Sequence, residues 1–157
     1  MAANGAMEAL VTTVAELAQQ VGRKVGPTAW RSMSQEQVNR FADLTDDHNF
    51  IHVDAVRARE SSFGGTIAHG FLTLSLLGRL SQELIVVGDA TTSINYGLNK
   101  VRFPAPLRVG AEFRATGEVL EVTAVPGGAQ VTASFSVDAR GTTKPALVAE
   151  CLLRYYR

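Results

Sequence analysis

The sequence predicts an α+β fold: one buried helix followed by an antiparallel meander. Two observations carry this. Residues 66–85 are apolar on almost every helical face through Leu77, which marks a helix buried along much of its length. From Glu112 onward three segments alternate with a period of two, the mark of strands with one covered and one solvated face.

Taken in order, residues 1–5 are small and polar and are expected to fray. From Ala6 to Val21 the apolar residues Leu10, Val14, Leu17 and Val21 fall at helical spacing, so a helix is expected there, stopped by Gly22. Residues 24–33, with Val25, Pro27 and Trp30, read as an extended edge segment. Ser34-Gln35-Glu36-Gln37 has the capping-box pattern and opens a helix to about Leu44, with Val38, Phe41 and Ala42 facing inward. Asp54 is placed to cap a short helix near Ala55–Glu60, and Phe63-Gly64-Gly65 is a loop. Small residues at Gly70, Ser75 and Gly78 let the long helix approach a sheet.

Thr92–Phe103 reads as a long strand bent at Gly97 and ended by Pro104 and Pro106. The inward sets of the next three strands are Phe113, Ala115, Gly117 and Val119, then Val131, Ala133, Phe135 and Val137, then Leu147, Ala149, Cys151, Leu153 and Tyr155. Pro126-Gly127-Gly128 and Arg140-Gly141 supply the turns.

A length of 157 residues fits one domain, 1–157, around one core. Lys plus Arg equals Asp plus Glu at 15 each, which argues against nucleic acid or an anionic membrane as main partner. The one cysteine, Cys151, sits in an alternating strand and reads as a small buried apolar residue. No signal-peptide pattern and no run of 18 apolar residues is present, so a cytoplasmic protein is expected.

Chemistry concentrates in Asp47-His48-Asn49-Phe50-Ile51-His52 and in Ala68-His69-Gly70. A carboxylate and an imidazole close together can move protons. Five residues on a continuous helix would set Asp47 and His52 about 140° apart, so they meet only if the helix has ended. Asp46 rivals Asp47 by composition, and His48 reads as exposed. Gly70 at a helix start fits two readings: a backbone N–H that a ligand oxygen can approach, or tight helix–sheet packing. His69 reads as a satisfied structural histidine and Ser75 as a packing residue. Lys100 and Arg102 share strand parity and could meet an anionic cofactor tail.

The run from Phe41 to Asp54, with Phe63-Gly64-Gly65-Thr66-Ile67-Ala68-His69-Gly70, resembles the MaoC-like dehydratases, which include the (R)-specific enoyl-CoA hydratases (hydratase 2). Residues 95–106 resemble the actinobacterial members related to nodulation protein N. The resemblance implies a hot-dog fold, a long helix wrapped by an antiparallel sheet, and dimers. It implies that Asp47 and His52 form a catalytic dyad, that Asn49 fixes the loop and substrate pocket, and that Gly70 N–H meets the thioester oxygen. Phe50 stands where Pro is usual and Asp46 where Gly is usual. Phe50 is expected to change loop rigidity or narrow the acyl pocket, and Asp46 to raise the pKa of Asp47 if close and buried. Gly78 replaces a polar residue found in some relatives. Bulky Phe50, Phe71 and Tyr96 would shorten the pocket if they face it.

The implied reaction is reversible hydration of a trans-2-enoyl-CoA to an (R)-3-hydroxyacyl-CoA. Coenzyme A enters as part of the substrate, no separate cofactor is expected, and no metal-ligand set is evident. The alternatives are a 3-hydroxyacyl-carrier-protein dehydratase, an acyl-CoA thioesterase, and a non-catalytic acyl-binding or heterodimer subunit.

Overall fold

The computed structural model describes residues 8–157. Residues 1–5, expected to fray, lie outside the described residues. Fourteen short elements follow in order: β1 (Leu10–Thr12), a 3-10 turn (Leu17–Gln20), β2 (Lys24–Val25), β3 (Arg31–Ser32), α1 (Gln35–Thr45), α2 (Phe50–Val53), α3 (Ala55–Arg59), α4 (Gly70–Ser75), α5 (Leu77–Leu84), β4 (Ile85–Val87), β5 (Thr92–Arg102), β6 (Glu112–Val125), β7 (Gly128–Ala139) and β8 (Leu147–Tyr156).

The main sheet runs β2-β6-β7-β8-β5, with β3 also on β6, and every pairing in it is antiparallel. Its covered face carries Phe113, Ala115, Val119, Val131, Ala133, Phe135, Val137, Leu147, Ala149, Cys151, Leu153 and Tyr155, all buried as the alternation predicts. Leu72, Leu77, Leu80 and Leu84 of α4 and α5 join them in one core. Burial of four such side chains stabilises by roughly 6–12 kcal/mol against exposure, at about 1.5–3 kcal/mol each. Gly117 belongs to the same alternation because Phe135 lies against it; a Cβ there would come within 2.7 Å of the ring.

Local sequence explains the frame around the site. Ser34 accepts from Gln37 N–H while the Gln37 side chain accepts from Ser34 N–H, completing the expected capping box. Asp54 accepts from Val56 and Arg57 N–H at 3.1 and 3.0 Å and caps α3. β5 is irregular between Asn95 and Gly97, and again between Leu98 and Lys100, so the bend expected at Gly97 is present and is followed by another.

Two helix expectations are corrected. Among the described residues the stripe that ends at Val21 is not a helix: Leu10–Thr12 is a strand paired in parallel with Ile85–Val87, and Leu17–Gln20 forms the 3-10 turn. Val11, Thr12, Thr13 and Val14 are β-branched, and pairing with β4 outweighs the helical spacing. The long helix begins at Gly70, not Thr66, because residues 66–68 are tied to the chain ahead of β6. Ala68 N–H donates to Leu107 and Val109 N–H to Thr66. It is also interrupted at Leu76, beside Ser75, whose hydroxyl donates to Leu72 C=O at 2.7 Å, a bond that bends helices. Nor is it buried all round, since Phe71 is 74% exposed.

Candidate functional site

α1 ends at Asp46, whose φ of 59° is left-handed. That conformation turns the chain sharply, and Asp is among the few non-glycine residues that adopt it readily. The chain re-enters helix at once: Asn49 is the N-cap of α2 and accepts from Ile51 N–H at 3.4 Å. The helix break needed to bring Asp47 toward His52 is thus made by one left-handed residue and one cap.

His52 lies in α2 and is 7% exposed, whereas the Asp47 side chain is about half exposed. His52 Nδ1–H donates to Ile67 C=O at 2.8 Å, and a carbonyl only accepts. The other nitrogen, Nε2, keeps its lone pair. Burial pushes the imidazole below its ordinary 6.5, against the opposing pull of the Ile67 carbonyl, so the ring is neutral at pH 7. Gln35 fixes the backbone beneath it, donating to His52 C=O at 2.7 Å and accepting from the Thr66 hydroxyl at 2.6 Å.

His69, the N-cap of α4, stacks on His52 with ring centroids 3.7 Å apart and planes 25° apart. Its Nε2–H donates to Asp47 C=O at 2.9 Å and lies 4.0 Å from the Asp47 carboxylate. Asp47, His52 and His69 each present one ligand atom, and these three atoms lie within 4.8 Å of one another. His52 bonds Ile67 C=O through Nδ1 and keeps Nε2 free, whereas His69 uses Nε2 on Asp47 C=O and its other nitrogen, Nδ1, is buried.

Gly70 follows directly. Together with His52, Ile67, Ala68, Thr73, Phe63, residues 103–107 and Ala146 it lines a cavity of about 290 Å³. A Cβ on Gly70 would meet the Phe103 ring at 3.0 Å, so the glycine makes room for the cavity wall rather than for the sheet. Asp47 stands outside this lining, half exposed and within 4.8 Å of His52. A second cavity of about 230 Å³ lies further along the helices, between Leu74, Leu77, Gly78 and Ser81 and residues Asn95, Leu98, Cys151 and Leu153. Gly70 at the start of α4 lines the first cavity, and Leu74 of α4 with Gly78 of α5 lines the second.

Other expectations resolve differently. Asp46 is fully exposed and points to His48, 3.6 Å away, so it does not act on Asp47 through burial. His48 is exposed, as read; its bond to Asp43 at 2.9 Å raises its pKa above 6.5. Phe50 lies under Arg57, 4.0 Å from ring centroid to guanidinium, and Tyr96 under Arg154. Phe50, Phe71 and Tyr96 line neither cavity, which corrects the idea that they shorten it. Lys100 and Arg102 are exposed on β5 and also line neither; Arg102 donates to Val101 C=O and precedes Phe103 of the cavity wall. Cys151 is buried and its thiol is pushed up to about 11, an unreactive group. The residue that sequence reading undervalued is His69, whose adjacency to Gly70 was the available signal.

The described helices include none long and apolar enough to cross a membrane. Compared with known proteins, residues 16–140 match the family model described as MaoC like domain. The chain is 51% identical over 144 residues to the 3-hydroxyacyl-thioester dehydratase Z of Mycobacterium tuberculosis, covering 91% of this chain and 95% of that protein. It is 38% identical over 141 residues to the nodulation protein N of Rhizobium leguminosarum, covering 87% of each. Among solved structures, the R-hydratase PhaJ1 of Pseudomonas aeruginosa superposes with a TM-score of 0.73 at 26% identity, covering 92% of this chain and 86% of that one. The shared architecture is the expected hot-dog fold, and on the family match the chain belongs to the MaoC-like domain family.

Proposed function

We propose that this chain is a hydro-lyase that adds water to a trans-2-enoyl-CoA to give the (R)-3-hydroxyacyl-CoA, and catalyses the reverse dehydration. The observation that carries the reading is the meeting of the Asp47 carboxylate and the His52 imidazole at the edge of a cavity that also exposes Gly70. The names of the relatives, a thioester dehydratase and an R-hydratase, support the reaction class and the stereochemistry.

In this mechanism Asp47 and His52 hold one water molecule. As its oxygen attacks C3, His52 Nε2, the free lone pair of the ring, takes its proton. Negative charge gathers on the thioester oxygen, where Gly70 N–H donates; such a donor lowers the barrier by about 3–4 kcal/mol. C2 receives a proton from the same pair, so one water is consumed and the dyad ends as it began. Asn49 sets the entry to α2, and thereby the angle at which His52 leaves the loop. The cavity beyond Gly78 takes the acyl chain, and Lys100 and Arg102 lie on the strand leading to the cavity wall, where the phosphates of coenzyme A would pass. No separate cofactor takes part. The expected result is loss of enoyl absorbance from crotonyl-CoA with (R)-3-hydroxybutyryl-CoA as product; free thiol release without hydration would instead indicate a thioesterase, and activity confined to carrier-protein thioesters would move the partner from coenzyme A to that protein.

The active unit in this reading is a homodimer. β5 is an eleven-residue edge strand, open on one side, with Ile94, Tyr96 and Leu98 about half exposed and Phe103 nearby. A long apolar edge of this kind invites a second strand. Sedimentation at micromolar concentration is expected to give a dimer, and a stable monomer would contradict the assembly. The fold and the absence of a membrane-spanning helix among the described residues agree with a cytoplasmic setting.

A further inference from the structure

We infer that His69 is the positioning residue of this site: its ring bridges Asp47 and His52 and sets the distance between them. The inference rests on the hydro-lyase reading above and adds a residue to it.

His69 is the N-cap of α4 and is almost fully buried, yet its side chain caps nothing. Its Nδ1 is buried without a hydrogen-bond partner among the described residues. An apolar ring of the same size would avoid that cost, so packing alone does not account for histidine here. What histidine adds is the Nε2–H, which donates to Asp47 C=O at 2.9 Å. A carbonyl only accepts, so this bond requires the proton to reside on Nε2.

Of the two groups it joins, His52 is anchored by its own bond to Ile67 C=O at 2.8 Å, but Asp47 is weakly held otherwise. Asp47 sits in an exposed loop, and the side-chain bonds within that loop, Asn49 N–H to Asp47 Oδ1 and Ile51 N–H to Asn49 Oδ1, are both 3.4 Å long. His52 belongs to a helix of only four residues. One face of His69 stacks on His52 at 3.7 Å, while Phe41 approaches at 5.0 Å and 53°. Thr73 donates its hydroxyl to His69 C=O at 3.2 Å and fixes the residue to α4. His69 thus connects the Asp47 loop, the His52 ring and the helix start that presents Gly70.

The test compares two variants by steady-state hydration of crotonyl-CoA. His69→Phe keeps a ring against His52 and donates no hydrogen bond. His69→Gln loses the ring, but its amide N–H reaches toward the Nε2 position. The expected result is that His69→Phe lowers kcat about 10²-fold with KM nearly unchanged, as misplaced reacting groups do, while His69→Gln keeps at least about tenfold more activity than His69→Phe. A ring present only for packing gives the opposite order, and that order overturns the inference. If melting curves show that His69→Phe does not fold, the wild-type protein decides it: long-range proton–nitrogen NMR is expected to find the Nε2–H tautomer at His69, and the Nδ1–H tautomer overturns the inference. Wild-type protein without any hydration activity ends the hydro-lyase reading itself, and the inference with it. Active wild type with His69→Phe equal to or above His69→Gln ends only the role of His69.

Discussion

Replacing Asp47 with Asn is expected to lower hydration of crotonyl-CoA by at least about 10²-fold. The substitution is close to isosteric, so the loop keeps its shape, but an amide neither takes nor returns a proton at the pH of the assay. Its effect on folding is expected to be small. Asp47 is half exposed, its carboxylate accepts only one long bond of 3.4 Å, and the contact from His69 falls on its backbone carbonyl. Surface substitutions of this kind change stability by about 0.5 kcal/mol or less. The check is kcat together with the melting temperature. An unchanged melting curve with collapsed turnover supports the dyad, and near-normal turnover removes Asp47 from it. Asp46→Asn is the internal control: its side chain points to His48, and turnover should stay within about twofold of wild type.

Replacing His52 with Gln is expected to cost at least as much turnover, about 10²- to 10⁴-fold, and to reach further into the structure. His52 is buried and donates to Ile67 C=O, so losing the ring leaves that carbonyl unpaired unless the Gln amide reaches it. A stability loss of about 1–3 kcal/mol is expected. The wild-type pH dependence carries the same signature. Burial holds the His52 pKa below 6.5, so the imidazole stays a base to lower pH than a free histidine does. The acid limb of kcat/KM should fall with a midpoint below 6.5 and should be lost in His52→Gln. Stability follows the corresponding sign. Above pH 6.5 His52 is neutral in both folded and unfolded chains. As pH falls below 6.5 the unfolded chain takes up the proton first, so folding weakens until the folded pKa is passed. His48 acts oppositely: its pKa is raised by Asp43, so its contribution is present at low pH and is lost as pH rises through the folded value.

What could be read in the sequence follows from how local each signal is. The capping box at Ser34–Gln37, the Asp54 cap and the three alternating strands depend on neighbours within a few residues, and each is found where expected. The errors lie where distant pairing decides. Leu10–Thr12 is extended because Ile85–Val87 lies beside it, and residues 66–69 stay out of helix because residues 107–109 bind their backbone. The residue types of the site were legible in a stretch of six, including the need for a helix break between Asp47 and His52. The stacking of His69 on His52 was not, since seventeen residues separate them and no periodicity links α2 to the start of α4. The facing of Phe50 and Tyr96 was left open in the sequence for a related reason: their neighbours Arg57 and Arg154 are brought by the fold rather than by spacing that marks an aromatic as a cavity wall.

The central claim is that Asp47 and His52 deliver both parts of one water molecule from the same side of the substrate. It is tested most directly by hydrating a trans-2-enoyl-CoA in deuterium oxide and reading the relative configuration at C2 and C3 of the product by NMR. Two groups whose reactive atoms lie within 4.8 Å of each other predict syn addition, with deuterium at C2 and hydroxyl at C3 on one face. Anti addition, or deuterium scrambled over both C2 positions, would contradict the account.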